Sequence, residues 1–235
     1  MFAGPNGSGK TTILRRIKGQ FKFGKYINAD DIEAVLKSKG KIDLSEYGLY
    51  NLDQDGLNTS MAEHSLYTKA VSEGYDIDLR FEGNFAINPN KKSHSYEAAL
   101  LAELIRQDLV SRGRRLTFET VMSHPSKIQF LKLAAENGYR NYLYFVCTEN
   151  PLINVARVEQ RVSLKGHAVD PQKIIDRYHN SLALLPQAIR NTYRTYIIDN
   201  SKDANRLILE VFQGREVTFR HPYIPHWVQK HVLGE

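Results

Sequence analysis

Apolar residues recur along this chain in two alternating rhythms. Ile13, Leu14 and Ile17, inside Thr12–Ile17, fit the period of a helix, and Tyr26-Ile27-Asn28 then reads as a short strand. From Asp30 to Lys39 the chain reads as a helix with Ile32, Val35 and Leu36 on one face. Residues 40–92 interrupt the alternation. Within them Asn58 to Glu73 is predicted as a helix ending at Gly74, and Ile77, Leu79 and Phe81 alternate before Glu82-Gly83-Asn84, which predicts a β-hairpin. The rhythm resumes at Ser95. Ala98, Leu101, Leu104, Ile105 and Leu109 form a helical stripe that stops at Gly113. Leu116–Glu119 is a buried strand, Ser123 and Pro125 open a helix that Gly138 ends, and Tyr142–Cys147 is the most strand-like run. Helices are predicted over 150–164 and 171–193, a strand over Tyr196–Asp199 and a helix over Ala204–Phe212. This order predicts an α/β protein, a parallel sheet covered by helices. It is read as one domain over 1–235, with an insertion at about 40–92 and a helical flap at about 150–178.

Composition narrows the picture modestly. A length of 235 residues suffices for one α/β core and an insertion. The single cysteine, Cys147, excludes an internal disulfide and fits a reducing cytoplasm. No apolar run is long enough to span a membrane, and with the glycine-rich loop starting at Gly4 no signal peptide is expected in this chain. Only Met1-Phe2-Ala3 precede that loop, so a first strand of unusual shortness, or a truncated start, is expected. The net charge of +6 suits an anionic substrate without demanding nucleic acid. Arg112-Gly113-Arg114-Arg115 complements a helix C-terminus, and no aromatic platform accompanies it.

Gly4-Pro5-Asn6-Gly7-Ser8-Gly9-Lys10-Thr11 is a complete G-x-x-x-x-G-K-[ST] phosphate loop. Its glycines let backbone N–H groups converge on one anion, and the helix that follows adds the positive end of its dipole. ATP contacts are therefore assigned to Gly4, Asn6, Gly7, Ser8, Gly9, Lys10, Thr11 and Thr12, with Lys10 on the β- and γ-phosphates and Thr11 on Mg²⁺.

In open parallel sheets ligands sit at the carboxyl ends of strands, which singles out Asp30, Asp31, Glu119, Asp199 and Asn200. Asp30 is the candidate for contacting an acceptor hydroxyl, with Asp31 next in register; a helix cap is the alternative for Asp30. Glu119 is read as holding Mg²⁺ through water or binding substrate, with a structural ion pair as the alternative. Asn200 borders the adenine. Arg157 and Arg161 lie four apart on one helix face, Arg177 follows on the next helix, and such arginines can neutralise transition-state charge or form a solvated basic face. Lys165 and His167 share that flap. No N-K-x-D, L-S-G-G-Q, clear Walker B pair or zinc-ligand spacing is present, and Asp53-Gln54-Asp55-Gly56 only mimics a GTPase switch. The His221–Trp227 tail is expected to pack on the surface.

Together these pieces resemble the zeta toxin family of P-loop kinases. The matching segments are Phe2–Thr12, Asn28-Ala-Asp30-Asp-Ile32, Thr117-Phe-Glu119-Thr120, Gly138-Tyr139, Arg157-x-x-x-Arg161 through Gly166-His167 to Val169, Ile175-Asp-Arg177-Tyr178 and Asp199-Asn-Ser201. The resemblance covers roughly residues 2–39 and 94–213. It implies a P-loop kinase-like three-layer sandwich, ATP·Mg²⁺ as donor, a hydroxyl-bearing acceptor (UDP-N-acetylglucosamine in the best-known members), and an antitoxin protein as partner. By motif match Lys10 becomes catalytic, Asp30 the acceptor-activating acid, Glu119 a substrate-binding acid, and Arg161 and Arg177 the charge-stabilising arginines. Arg157 and Asp31 are assigned to substrate. The 40–92 insertion departs from the family pattern near strand 2 and leaves the acceptor open, as does a nucleotide-binding switch with little turnover.

Overall fold

The computed structural model describes residues 1–19, 23–163, 169–202 and 204–234. In chain order its elements begin β1 Phe2–Ala3, α1 Lys10–Ile17, β2 Lys25–Ile27, α2 Ala29–Lys39 and β3 Lys41–Asp43. A 3₁₀ turn at Leu44–Tyr47 leads to α3 Gln54–Ala62, α4 Ser65–Ser72, β4 Arg80–Glu82, β5 Phe85–Ile87 and α5 Ser95–Ser111. There follow β6 Leu116–Thr120, α6 Ser126–Glu136, β7 Tyr142–Cys147, α7 Pro151–Ser163 and α8 Pro171–Arg190. The chain closes with β8 Arg194–Asp199, β9 Arg206–Phe212, β10 Glu216–Phe219, α9 His226–Val228 and a π turn at Gln229–Leu233. Two compact units emerge, residues 1–22 with 119–235, and residues 23–118.

The first unit is built on a mostly parallel sheet. β1 is only two residues long but central: it pairs in parallel with Glu119–Thr120 of β6 on one side and with Tyr144–Phe145 of β7 on the other. β8 continues the parallel order beside β7, and β9 and β10 extend it antiparallel. One face of this sheet packs Leu143, Phe145, Ile197, Leu209 and Val211 against Leu131 of α6 and Leu182, Leu185 and Ala188 of α8. Such burial, about 25 cal/mol per Å² of apolar surface, is what holds the strand ends in register.

One expectation fails in this unit and another holds only in part. Residues 204–212 were expected to be helical, yet Arg206–Phe212 is strand β9. Leu207-Ile208-Leu209 suits a buried strand and a helix equally by period, and the open edge of β8 decides the matter. The tail keeps to the surface only in part: Pro222, Tyr223 and His226 are exposed, but its last residue is anchored in the core. Trp227 is 3% exposed, lies 6.1 Å from the Phe145 ring, and donates its indole N–H to Asp199 Oδ1 at 3.2 Å.

In the second unit β2 runs parallel to Leu116–Phe118 of β6, and α2 packs on α5. The 40–92 insertion folds into a three-stranded antiparallel sheet, β3-β5-β4, with the expected hairpin turning at Gly83-Asn84. Glu97, buried on α5, ties this sheet down: its carboxylate accepts the Asp78 N–H at 2.6 Å and the Asn88 amide at 3.0 Å. The single helix expected over 58–73 is two helices. His64 is extended and its Nδ1 caps α4 by accepting the Leu66 N–H at 3.1 Å, a capping role that apolar periodicity does not register. Asp53 caps α3 through the Gly56 N–H at 3.0 Å, which accounts for the switch-like Asp-x-Asp-Gly run. Arg112 sits at the end of α5 and bonds Asp108 at 2.6 Å.

Candidate active site

The phosphate loop joins β1 to α1 and is crowded from outside. Gly7 and Gly9 have φ of +73° and +97°, in the left-handed region that favours glycine. A Cβ on Gly7 would sit 2.5 Å from the Asn154 carbonyl oxygen, and one on Gly9 2.3 Å from the Asn200 amide nitrogen. Both positions therefore strongly favour glycine. α1 has no side-chain cap and no acidic residue in its first turn, so its N-terminal N–H groups and dipole remain directed toward an anion.

Lys10 Nζ arches back over the loop and donates to the carbonyls of Gly4 and Pro5 at 2.7 and 2.8 Å. Thr11 Oγ1 donates to Glu119 Oε2 at 2.8 Å. The register that pairs Phe2 with Glu119 brings this carboxylate to the loop. A hydroxyl beside a half-buried carboxylate is a hard oxygen donor pair of the kind Mg²⁺ takes, so the residues present fit the metal that the motif implies.

Three further elements of the same unit grip the loop. Asn200, just past β8, donates its amide to the Ser8 carbonyl at 2.7 Å, while its own N–H bonds the Cys147 carbonyl at 2.8 Å. Arg157 of α7 donates to the Asn200 carbonyl at 2.7 Å. Arg177 of α8 reaches Asn6 Oδ1 at 3.4 Å. Asn154, fully buried on α7, donates to the Asn6 carbonyl at 2.6 Å and accepts from the Thr148 hydroxyl. Tyr178 donates to the Thr148 carbonyl at 2.7 Å. Burial pushes the Tyr178 hydroxyl and the Cys147 thiol well above their ordinary ranges, so both stay protonated; Tyr178 is a fixed donor and Cys147 no nucleophile.

Sequence singles out neither Asn154 nor Thr148, and names Tyr178 only as the last residue of the Ile175-Asp-Arg177-Tyr178 match, with no role. The available signal was Asn154 itself, a polar residue sharing the buried stripe of α7 with Val158. Asp199 proves structural, accepting from Ser201 Oγ at 2.6 Å and from Trp227.

Thr12 is exposed in the first turn of α1, and Arg161 is exposed near the end of α7. Lys165, Gly166 and His167 lie outside the described residues. Asp30 and Asp31 belong to the second unit, exposed in the first turn of α2. The helix cap considered for Asp30 falls instead to Asn28, whose Oδ1 accepts the Asp30 N–H at 3.0 Å; a cap must precede the helix, and Asp30 is already inside it. Among the described residues no helix is long and apolar enough to cross a membrane.

Comparison with known proteins adds the family. No curated protein sequence matches. Among solved structures, the chain is similar to the crystal structure of AvrRxo1-ORF1:AvrRxo1-ORF2 with sulphate ions, at 16% identity and a TM-score of 0.52, covering 93% of this chain and 60% of that one. The same complex with ATP matches at 15% identity and a TM-score of 0.49, covering 93% and 59%. A structure of the PezAT chromosomal toxin-antitoxin system of Streptococcus pneumoniae matches at 16% identity and 0.47, covering 100% and 78%. The chain thus spans about three-fifths of the length of the AvrRxo1-ORF1 structures. At such identity the first likeness speaks to fold, a mixed α/β architecture with a mostly parallel sheet. The profile described as Zeta toxin matches residues 87–210, more than half of the chain. The chain belongs to the zeta toxin family.

Proposed function

We propose that this protein is an ATP-dependent kinase that transfers the γ-phosphate to a hydroxyl of a small molecule. One observation carries the reading: a phosphate loop whose lysine, threonine–glutamate pair and flanking arginine all meet within one folded unit. Lys10 exchanges its two loop carbonyls for the β- and γ-phosphate oxygens. Thr11 and Glu119 hold Mg²⁺, which when bound draws negative charge from those oxygens. The Thr11–Glu119 bond supports the metal-side reading of Glu119 over the substrate-binding one. Asn200 lies beside the nucleotide base, and Arg161 and Arg177 offset charge as it spreads over the transferring group. Asp30 accepts the proton of the acceptor hydroxyl. The acceptor oxygen–phosphorus bond forms as the bond from the γ-phosphorus to the β–γ bridging oxygen breaks, leaving ADP. Positioning dominates such a loose transition state, so rigid support of the loop matters more than base strength.

Family membership makes UDP-N-acetylglucosamine the first acceptor to try and an antitoxin the first protein partner to seek. The test is incubation with ATP and that sugar nucleotide, then with ATP and a cell extract, reading new phosphorylated species by mass spectrometry. Lys10→Ala is expected to abolish product. Asp30→Asn is expected to cut turnover while sparing ATP affinity. No phosphorylated species in either incubation sinks the kinase reading, and full activity of Asp30→Asn removes Asp30 from its role.

A further inference from the structure

The outer edge of the first unit's sheet is a short, bare strand. β10, Glu216–Phe219, pairs with β9 through Glu216↔Phe212, Val217↔Val211, Thr218↔Glu210 and Phe219↔Leu209. No other strand follows it in the sheet order, and no described backbone group bonds its far side. All four of its residues are exposed, Val217 by 41% and Phe219 by 55%. Exposed edges usually carry charges or bulges that repel a further strand. Here the charges sit at the two ends with opposite signs, Glu216 as the first residue of the strand and Arg220 just after its last.

That order is self-complementary. Two copies of Glu216-Val217-Thr218-Phe219-Arg220 laid antiparallel about a two-fold axis through Thr218 put Glu216 of each opposite Arg220 of the other. Val217 then faces Phe219, and Thr218 faces itself. Opposite residues in an antiparallel pair share a face, so acid meets base on one side of the sheet and apolar meets apolar on the other. Glu216 has no ion-pair partner among the described residues. Arg220 uses its Nε on Glu210 at 2.8 Å, and its terminal guanidinium nitrogens offer further donors. Other registers lose the match; a shift by one residue sets Val217 against Thr218.

We infer that β10 is an isologous interface at which a second copy of this chain pairs edge to edge, centred on Thr218. The pairing continues the sheet across the two-fold axis and is independent of nucleotide chemistry. A short edge with two symmetric ion pairs gives a reversible dimer, with a dissociation constant on the order of 10 µM at low salt that weakens as salt rises.

Sedimentation velocity across a concentration series tests this on the full chain. Glu216→Gln should weaken the dimer modestly, and Glu216→Arg, which sets arginine against Arg220 twice by symmetry, about tenfold or more. Unchanged circular dichroism and melting confirm that both fold. Register is read by cross-linking. Opposite Cα atoms in an antiparallel pair lie about 4.5–5.5 Å apart, within reach of a disulfide. Oxidation should therefore link Thr218→Cys into covalent dimers and leave Val217→Cys largely unlinked; the buried Cys147 does not compete. A protein that stays monomeric to about 100 µM, a dimer indifferent to Glu216→Arg, or equal linking of the two cysteine variants overturns the inference.

Discussion

Replacing Asn154 with alanine isolates the contribution of buried polar support to the phosphate loop. The side chain is fully buried and donates to the Asn6 carbonyl at 2.6 Å. Alanine leaves that carbonyl without this donor, at about 1–3 kcal/mol for an unsatisfied, partly buried group. The other half of the amide costs less, because the Thr148 hydroxyl keeps the Asn150 carbonyl at 3.1 Å. The sum, about 2 kcal/mol, should lower the melting temperature by roughly 4–8 °C for a chain of this size. If the loop yields before the fold does, the same energy appears as a loss of about thirtyfold in ATP affinity instead. Thermal melting with and without ATP, beside titration of a fluorescent ATP analogue, separates the two outcomes. Asn154→Asp keeps size and acceptor but loses the donor, and should be at least as damaging because a carboxylate would face the Asn6 carbonyl. Changes in Asn154→Ala below about 0.5 kcal/mol on both measurements would refute the idea that this residue holds the loop.

Gly7→Ala must place a methyl 2.5 Å from the Asn154 carbonyl oxygen at a φ of +73°, so ATP affinity should fall at least about tenfold with secondary structure retained, as titration and circular dichroism would show. Trp227→Ala empties a 3%-exposed site and breaks the bond to Asp199, about 3–5 kcal/mol, and should lower the melting temperature by roughly 10 °C; a drop under about 3 °C would return the tail to the surface. Arg157 and Asn200 act in series on the Ser8 carbonyl, so Arg157→Ala and Asn200→Ala should be non-additive in ATP affinity by about 0.5–3 kcal/mol, and a simply additive double variant would count against the series.

What the sequence conveyed well is local. β7 coincides with Tyr142–Cys147, since β-branched and aromatic residues crowd a run of strand length. α5 ends beside Gly113, and the hairpin turns at Gly83-Asn84, because those signals sit within a few residues of what they control. The helix predicted over 204–212 fails because Arg206–Phe212, apolar at five of its seven positions, takes its identity from a neighbour, β8, that only the fold supplies. The break at His64 was invisible because an imidazole cap leaves apolar spacing on either side intact.

The site divides the same way. Glycine, lysine and threonine in the loop announce themselves because the backbone demands them in fixed order. The loop's supports do not, since Asn154 and Asn200 are separated from it by well over a hundred residues and act through backbone carbonyls that carry no sequence signature. Arg157 illustrates the consequence. Sequence spacing suggests an arginine that neutralises transition-state charge or lies on a solvated basic face, while its Nη1 donates to the Asn200 carbonyl of the residue whose amide holds Ser8. A guanidinium has donors enough for a carbonyl and a phosphate together. Support and charge neutralisation can therefore reside in one side chain, and a substitution there disturbs the shape of the loop as well as the field over it.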